Sequence, residues 1–275
     1  MGLYTRVLKL LGAGAIVSVL AACAAVQTTS GGAVGIERKQ WMSGLVSESE
    51  LNLAAQKNYS QVLGQARAQG ALDKDAAQTR RVKTIANRLI NQVGVFRPDA
   101  RSWNWEVHVI ASDELNAWCM PGGKIAVYSG LINQLKLNDA ELAAIIGHEM
   151  AHALREHSRE QVSQQMATSV GLSVISAVLG QPGVQDLGGT LSNVMFTLPN
   201  SRQHETEADL IGVELAARAG YDPRAAVSLW QKMAALEKGQ QPEFLSTHPS
   251  SASRINDLRN VTERVMPLYQ AAPKP

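Results

Sequence analysis

Apolar residues recur every three or four positions through much of this sequence, and this spacing predicts a mainly helical chain. The clearest stripe lies within residues 75–95 and consists of Val82, Ile85, Ala86, Leu89, Ile90 and Val93. A second run, residues 138–154, begins with Asn138 and Glu141, a pattern that resembles a helix capping box. Further helices are predicted over residues 47–69, 161–179, 201–219, 222–238 and 251–265.

Two short segments change from this period and predict strands. Residues 103–110 alternate apolar and polar side chains, and His108 falls on the polar face, where we interpret it as a surface residue. Residues 125–128 form a second strand after a Pro-Gly-Gly turn. The pattern therefore predicts an α+β fold that is mostly helical and contains a small antiparallel or mixed sheet.

Composition narrows the function classes. The chain has 275 residues, which suits one medium domain with an appendage or two small domains. Hydrophobic residues make up 45% and charged residues 18%, as is usual for a globular protein with a packed core. A net charge of +2 and an aromatic content of 5% provide neither a basic field nor a stacking surface, so nucleic-acid binding is not expected.

The start of the chain resembles a bacterial lipoprotein signal. Arg6 and Lys9 precede an apolar run, residues 10–22, that is too short to span a bilayer comfortably. The run ends in Leu-Ala-Ala-Cys, which resembles a lipobox and predicts that residues 1–22 are removed and Cys23 is lipidated. Because the next residue is Ala and not Asp, the resemblance predicts an outer-membrane lipoprotein that faces the periplasm. An ordinary signal peptide or an uncleaved anchor is the alternative.

The rest of the chain divides by composition into three parts. Residues 23–47 carry Thr, Ser and Gly clusters and are predicted to tether the protein to the membrane. Residues 48–266 form the predicted globular domain, and residues 267–275 form a flexible tail. The second cysteine, Cys119, lies between Trp and Met, so we interpret it as a small buried hydrophobe and not a nucleophile.

The strongest chemical signal is an H-E-x-x-H motif formed by His148, Glu149 and His152 within the predicted helix 138–154. Helix positions four apart share a face, which lets both imidazoles bind one zinc ion. Glu149 then projects beside the metal, where it can accept a proton from water. Gly147 indicates that another segment packs closely at this point. A surface helix with two chance histidines is the alternative, but the cap and the apolar face weigh against it.

A catalytic zinc ion needs a third protein ligand. Arg155 and Ser158 occupy the positions of Gly and His in the longer three-histidine motif, so the third ligand must lie elsewhere. Glu205, on the predicted helix 201–219, is the candidate. Asp209 lies one turn further on and can accept the outer N–H of a ligand histidine. An acidic, solvated helix face is the alternative interpretation of these two carboxylates.

Other polar residues near the motifs are not expected to bind the metal. His157 follows His152 by five positions and is predicted to point away into solvent, and Glu207 is also predicted to be solvated. His204 is a weaker candidate ligand. A purely structural zinc site is not expected, because no closed cage of four Cys and His residues is apparent.

Two apolar runs after the motif, residues 161–179 and 191–198, predict a helical hairpin, and neither is long enough to span a membrane. They can pack in the core, lie at the membrane surface or cover the active site, with core packing as the default. The strand over residues 125–128 precedes the motif helix. Its edge can pair with an extended substrate, or it can belong to an ordinary core hairpin.

Three motifs, in this order, resemble those of the zinc metallopeptidases that include HtpX, the CAAX prenyl endopeptidases and the Oma-type peptidases. They are N-A-x-x-x-P-G-G-x-I-x-V-x-x-G-L from residue 116, H-E-x-x-H from residue 148, and S-R-x-x-E-x-E-A-D from residue 201. The resemblance covers about residues 113–258. Together with the lipobox, it is greatest to the periplasmic LoiP- and BepA-like branch of the family.

The resemblance implies a mostly helical gluzincin core with a small sheet. It also implies one zinc ion per chain, with ligands and supporting residues in named roles. The ligands are His148, His152 and Glu205, the base is Glu149, and Asp209 lies behind the ligands.

Residues and resemblance together predict a zinc endopeptidase of the bacterial cell envelope that hydrolyses misfolded or unassembled envelope proteins. The expected partners are polypeptide substrates, the membrane through Cys23, and envelope assembly or protease proteins. No helical-repeat region of the kind that BepA-like proteins use for docking follows residue 266. A non-proteolytic lipoprotein that acts as a chaperone or assembly factor is the alternative. Loss of a ligand or of the base would favour it, and all four residues are present.

Two residues near the end of the domain are candidates for assisting or controlling the reaction. His248 lies in a Thr-His-Pro segment and is followed by Arg254, a pattern that resembles the periplasmic branch, where the histidine reaches the zinc. An imidazole there would fill the open position and hold the enzyme latent. Alternatively, His248 or Arg254 stabilises the oxyanion of the reaction, or His248 simply fixes a turn.

Overall fold

The structure is a computed structural model that describes residues 23–178, 187–236, 243–249 and 253–275. The predicted signal peptide, residues 1–22, lies outside these ranges. The helices of the described ranges are α1 (Glu48–Ala68), α2 (Ala76–Ile90), α3 (Ser129–Gln134), α4 (Asp139–Leu154), α5 (His157–Val178), α6 (Leu187–Phe196), α7 (Arg202–Arg218), α8 (Ala225–Leu236), α9 (Glu243–Thr247) and α10 (Arg254–Ala271). The strands are β1 (Cys23–Val26), β2 (Gln40–Ser43), β3 (Glu106–Ile110), β4 (Ala117–Met120) and β5 (Lys124–Tyr128).

The described strands form two small sheets. β1 and β2 pair in antiparallel orientation, with Cys23 opposite Ser43. In the second sheet the order is β3-β5-β4, so β5 lies in the centre, parallel to β3 and antiparallel to β4. The predicted α+β fold, mostly helical with a small mixed sheet, is confirmed.

Helix α4 lies at the centre of the core, and every residue from Glu141 to Leu154 is buried. The predicted capping box is present, because the Asn138 side chain accepts from the Glu141 N–H at 2.9 Å and the Glu141 carboxylate accepts from the Asn138 N–H at 3.0 Å. Satisfying these orphan donors lets the helix begin at a fixed residue, which sets the direction of all its later side chains.

Helices α4 and α7 cross where each carries a glycine. A Cβ atom on Gly147 would lie 2.9 Å from the carbonyl oxygen of Gly212, and a Cβ atom on Gly212 would lie 2.7 Å from the amide nitrogen of His148. Contacts this short do not tolerate a side chain, so the close packing predicted at Gly147 is confirmed. The two glycines bring the motif face of α4 directly against the acidic face of α7.

Two predicted element boundaries differ from the structure. Helix α2 ends at Ile90 and not at residue 95, and a 3-10 turn over Val93–Val95 follows it. Strand β3 begins at Glu106 and not at residue 103, because the backbone N–H groups of Trp103 and Trp105 bond to residues 100 and 103 of the same segment and not to a neighbouring strand. Both boundaries carry apolar side chains that also suit a regular element, so the pattern alone extends each element too far.

The end of the chain also differs from the predicted flexible tail. Helix α10 continues through Pro267 to Ala271, and the guanidinium of Arg88 donates to the backbone carbonyl of Pro273. Proline removes only one helical hydrogen bond here, and burial of Val265 and the residues before it holds the helix in place. The last residues therefore lie against α2.

The stretch predicted to be a tether is folded onto the domain. Gln40 is fully buried, and its amide donates to the backbone carbonyl of Arg155. The N–H of Val34 donates to the carboxylate of Glu214 on α7 at 2.9 Å. The structure thus corrects the expectation of an unstructured tether over residues 23–47, because buried polar contacts fix this segment in place.

Helices α5 and α6 correspond to the two predicted apolar runs. Helix α6 packs on α1, where the Asn58 amide donates to the carbonyl of Gly188 at 3.2 Å and to Ser192 Oγ at 2.9 Å. Leu191 and Val194 are buried in the core, as the default interpretation of residues 191–198 expected. Among the described residues, no helix is both long and apolar enough to cross a membrane.

Candidate active site

Four side chains from three parts of the chain meet beside α4. His148 and His152 lie one turn apart on α4, Glu205 lies in the first turn of α7, and His248 follows α9. One donor atom from each lies within 4.8 Å of the others, and all four residues are buried. We call these four residues the donor group. The structure therefore brings the three predicted zinc ligands together with the histidine that was predicted to reach the same point.

The separations of these donor atoms fit a tetrahedral zinc ion. His148 Nε2 and His152 Nε2 are 3.1 Å apart, and the oxygens of Glu205 lie 3.4 Å from the first and 3.3 Å from the second. Zinc binds nitrogen and oxygen at about 2.0–2.1 Å, which places tetrahedral ligands about 3.3 Å apart. The three side chains therefore fit zinc without rearrangement.

The unpaired atoms of the site also fit a cation. Among the described residues, the Oε1 atoms of Glu149 and Glu205 are buried without a hydrogen-bond partner. Burial alone would raise the pKa of Glu205, but neighbouring His248 and the two other histidines of the group outweigh it and lower this pKa well below its ordinary value. Arg254 pairs with Oε2 of Glu205, and a zinc ion between the histidines would provide a partner for the remaining Oε1.

His148 is supported directly by a carboxylate. Its Nδ1 lies 3.0 Å from Oδ1 of Asp209 on α7. A carboxylate can only accept, so Nδ1 of the neutral ring carries the hydrogen and Nε2 keeps its lone pair for the metal. The structure thus places Asp209 behind the ligands, where the resemblance predicted it.

Arg254 lies behind the ligands and does not face the cleft. It donates from Nη1 to Glu205 at 2.8 Å and from Nη2 to Asp209 at 2.7 Å, and its guanidinium lies 3.4 Å from the ring centroid of Trp230. Because two carboxylates and an aromatic ring hold the guanidinium, it is not free to stabilise an oxyanion in the cleft. The predicted oxyanion role does not fit this position; Arg254 fixes the two carboxylates instead.

The prediction that His157 is solvated is wrong. His157 is 1% exposed, and its Nδ1 lies 3.0 Å from Nδ1 of His152. Helix α4 ends at Leu154, and Glu156 adopts a left-handed conformation with φ of 52°, so His157 begins a new helix that turns back toward the site. Non-glycine residues rarely adopt this conformation, and no signal in the sequence marks the break.

The prediction that Glu207 is solvated is also wrong. Its Oε2 lies 3.1 Å from His157 Nε2 and 2.9 Å from Nε of Arg155. Arg38, from the segment predicted to be a tether, donates to the same carboxylate. Arg38, Ala33 and Val34 of the N-terminal segment contact α7, and the helical pattern of α7 cannot reveal contacts that come from a distant segment.

A second carboxylate extends this arrangement. The His204 ring stacks on His157 with centroids 4.3 Å apart, and its Nε2 lies 3.1 Å from Glu160. Burial alone would raise the pKa of Glu160, but hydrogen bonds from His204 and Arg38 outweigh it and lower the pKa well below its ordinary value. His204 therefore contacts Glu160 and His157 and does not belong to the donor group. We define the buried polar cluster as Arg38, Arg155, His157, Glu160, His204 and Glu207.

Glu149 lies beside the donor group and faces His248. Its Oε1 lies 3.4 Å from His248 Nε2, and its side chain is buried. Burial raises the pKa of Glu149 to about 8. A carboxyl group with a pKa near neutrality can both take up and release a proton during a reaction.

A cleft reaches Glu149 and His152 between β4 and α6. Residues 116–119 line one side, and Val194 and Met195 of α6 line the other. Among the described strands β4 pairs only with β5, so β4 is the edge strand that borders the cleft. The strand over residues 125–128, whose edge was predicted to be able to pair with a substrate, is central and paired on both sides, so it has no free edge for this role.

Three further predicted residues have clear positions. Cys119 is buried in β4, as predicted, and burial raises the pKa of its thiol well above the ordinary value. His108 is partly exposed, and its Nδ1 lies 2.6 Å from Asp73, which confirms that it lies outside the donor group. Cys23 is the first residue of β1.

Comparison with known proteins agrees with the fold and the site. The model of Peptidase family M48 matches residues 76–262. The mitochondrial metalloendopeptidase OMA1 of Arabidopsis thaliana is 40% identical over 169 residues, which cover 61% of this chain and 34% of the relative. OMA1 of Schizosaccharomyces pombe is 41% identical over 160 residues, which cover 56% of this chain and 45% of the relative. The beta-barrel assembly-enhancing protease of Yersinia pestis is 30% identical over 213 residues, which cover 74% of this chain and 43% of the relative.

The matched region thus covers between 34% and 45% of the length of these relatives. The range matched by the family model, residues 76–262, includes the H-E-x-x-H motif, Glu205 and Asp209, which the structure places around one point. The chain therefore belongs to peptidase family M48, a family of zinc-dependent metallopeptidases.

Proposed function

We propose that this protein is a zinc-dependent endopeptidase of the bacterial cell envelope that hydrolyses misfolded or unassembled envelope proteins. The observation that carries the proposal is the convergence of His148, His152 and Glu205 at zinc spacing beside Glu149 and the cleft along β4. The envelope location is supported by the lipobox-like sequence that ends at Cys23, and by a relative whose name refers to β-barrel assembly.

The proposed chemistry separates metal binding from proton transfer. When bound, zinc polarises the scissile carbonyl and lowers the pKa of water. Glu149, which lies beside the three ligands, accepts a proton from the attacking water and passes it to the leaving amine. Asp209 and Arg254 hold the ligands His148 and Glu205 in place during both transfers.

The cleft suits an extended polypeptide. A substrate strand that adds to the free edge of β4 would gain main-chain hydrogen bonds without a requirement for particular side chains. Val194 and Met195 of α6 face that strand from the other side of the cleft and offer apolar contacts. Both features favour unfolded segments, because a folded substrate has no extended backbone to offer, and this is the substrate class expected of a quality-control peptidase.

His248 supports a latent state. Its ring stacks on Phe244 with centroids 4.3 Å apart, and its Nδ1 lies 3.0 Å from Thr247 Oγ1 and 3.2 Å from the Phe244 carbonyl oxygen, to which it can donate. In that arrangement Nε2 keeps its lone pair and joins the donor atoms of His148, His152 and Glu205. With zinc bound, His248 would be placed to act as a fourth ligand, and it would then have to move away to admit water and substrate. Once moved, the same side chain remains near enough to assist the reaction as a donor.

The test of the activity uses the full chain purified from membranes in detergent and a chemically unfolded outer-membrane β-barrel protein as substrate. Mass spectrometry of the products should show internal cleavage that stops with a chelator and returns with zinc. Glu149→Gln, which keeps every ligand, is the matched inactive control. Cleavage that persists in the chelator or in this variant would contradict the proposal, and binding without cleavage would favour the chaperone alternative.

The envelope location has a separate test. Mass spectrometry of the mature amino terminus should show a lipid-modified Cys23, and Cys23→Ala should release the protein from the membrane fraction. An unmodified amino terminus at any other residue would contradict the predicted processing, whatever the result of the cleavage assay.

A further inference from the structure

The outer nitrogen of His152 meets another histidine and not a carboxylate. Nδ1 of His152 and Nδ1 of His157 are 3.0 Å apart, and both rings are buried. Two ring nitrogens at this distance form a hydrogen bond only if one carries the hydrogen and the other offers a lone pair. The identity of the donor decides whether His152 can bind a metal through Nε2.

The other side of His157 settles this choice. His157 Nε2 lies 3.1 Å from Oε2 of Glu207, and an ionised carboxylate can only accept. Nε2 of His157 therefore carries the hydrogen, and Nδ1 of the neutral ring has the lone pair. His152 must then donate from Nδ1, which leaves its Nε2 free and directed at the donor group.

The surroundings keep both members of this pair in place. Arg155 donates to Glu207 from Nε at 2.9 Å, and Arg38 donates to the same carboxylate, so two guanidinium groups hold this acceptor in place. The His157 ring is stacked on His204 with an interplanar angle of 13°, which opposes rotation of the ring. The pair is therefore preorganised before any metal binds.

We propose that His157 and Glu207 are positioning residues for the metal, which fix His152 with the hydrogen on Nδ1 and the lone pair on Nε2. This inference rests on the proposed role of His152 as a zinc ligand. Without His157, the Nδ1–H of His152 would lose its buried acceptor, and the ring would no longer be restricted to the form that can bind zinc. Both residues would act through His152, because neither belongs to the group of donor atoms.

The test compares two substitutions at His157. His157→Leu keeps the approximate size but offers no acceptor, whereas His157→Asn places an amide oxygen near the position of Nδ1. Zinc affinity of the full chain is measured by competition with a chromophoric chelator. Loss of an outer partner typically weakens metal binding by about 10–100-fold, so we expect a loss of this size for His157→Leu and recovery of most of it for His157→Asn.

His108→Leu is the matched control, because His108 also bonds to a carboxylate through Nδ1 but lies outside the donor group. Its zinc affinity should equal that of the wild type. Wild-type affinity in His157→Leu would overturn the proposal. Equal losses in the Leu and Asn variants would also overturn it, since packing and not the acceptor would then be responsible.

A second measurement uses only the wild-type protein, so it does not depend on whether a variant folds. Nitrogen-15 NMR of the zinc-loaded wild-type protein with labelled histidine reports which ring nitrogens carry hydrogen. His157 should show a protonated Nε2 and a bare Nδ1, and a protonated Nδ1 would overturn the proposal. Neither measurement uses a substrate, so a failure of the envelope-peptidase proposal would leave these results unaffected and distinguishable.

Discussion

The two histidines of the motif lie on one helix, one turn apart, yet the protein supports them in different ways. His148 meets the carboxylate of Asp209 directly, at 3.0 Å. His152 meets the ring of His157 at the same distance, and the carboxylate of Glu207 follows only beyond that ring. Hydrogen bonds to an ionised acceptor are roughly twice as strong as neutral ones, so the hold on His148 is the stronger.

The two supports also come from different parts of the chain. Asp209 is fixed by Arg254 at the start of α10, whereas Glu207 is fixed by Arg155 and by Arg38 from the folded N-terminal segment. One face of the site therefore depends on contacts within residues 76–262, the range matched by the family model, and the other depends also on a segment outside this range.

Removing the ligand shared by both histidines should have the largest effect. Glu205 contacts His148 and His152 and anchors Arg254, so Glu205→Ala should abolish stoichiometric zinc binding and reduce hydrolysis to background. Elemental analysis and the peptide-cleavage assay measure both losses. Glu263→Ala, at an exposed glutamate of α10, is the control. Wild-type zinc content in Glu205→Ala would mean that the third ligand lies elsewhere.

A substitution that disturbs neither support isolates the chemistry. Glu149→Gln keeps all three ligands and should bind zinc normally, while kcat falls by about 10²–10⁴-fold, the usual contribution of a general acid–base group. Parallel zinc analysis and steady-state kinetics separate the two effects. If activity persists, Glu149 is not the proton carrier, and if zinc is lost, it contributes to binding.

The direct support should matter more than the indirect one. Asp209→Asn replaces the ionised acceptor of His148 by a neutral amide, and we expect zinc affinity to fall by about 10–100-fold. The loss should exceed that of His157→Asn, because the latter exchanges one neutral acceptor for another. Chelator competition on both variants ranks their zinc affinities. A larger loss in His157→Asn than in Asp209→Asn would contradict the greater importance of the direct support.

The buried polar cluster should contribute a pH-dependent part of the stability. Because the pKa of Glu160 is lowered on folding, its stabilisation is present above the unfolded pKa of about 4.3 and is lost as pH falls through the folded value. Glu160→Gln should therefore lower the free energy of unfolding at pH 7 by about 1–3 kcal/mol, and the deficit should shrink below about pH 4.

Denaturant unfolding of the metal-free proteins at pH 7 and at lower pH measures this deficit. Glu37→Gln, at an exposed glutamate of the same N-terminal segment as Arg38, is the control and should match the wild type. A deficit for Glu160→Gln that stays constant with pH would show that the carboxylate charge is not responsible.

The smallest expected effect concerns a residue that belongs to neither support. If His248 fills the fourth position, His248→Ala should leave zinc bound and raise the cleavage rate several-fold, with lower selectivity among substrates. Rates on a panel of unfolded proteins measure this. A fall in kcat would instead indicate that His248 stabilises the oxyanion, and an unchanged rate, selectivity and zinc content would leave only a role in fixing the turn.

Much of the site could be predicted from sequence because it depends on helix geometry alone. The four-residue spacings of His148 and His152, and of Glu205 and Asp209, place each pair on one face wherever the helix lies. The cap at Asn138 and the small residue at Gly147 likewise act within or beside a single helix. These relations within one helix do not depend on how the rest of the chain folds.

The edge strand could not be predicted, since it depends on strand order. The sheet runs β3-β5-β4, so the strand nearest in sequence to α4 is central, and the strand before it borders the cleft. A crossover of this kind leaves no trace in the alternation of apolar and polar residues, which indicates only that a strand exists.

The sequence by itself determined the α+β class and the shared helix faces of His148 with His152 and of Glu205 with Asp209, because period and spacing express contacts between near neighbours on one element. Tertiary structure alone decided the support of His152. It required the left-handed turn at Glu156, which redirects His157, and the folded N-terminal segment, which brings Arg38 to Glu207. Helical pattern assigns such polar residues to solvent, because only long-range packing can bury a charge together with its partners.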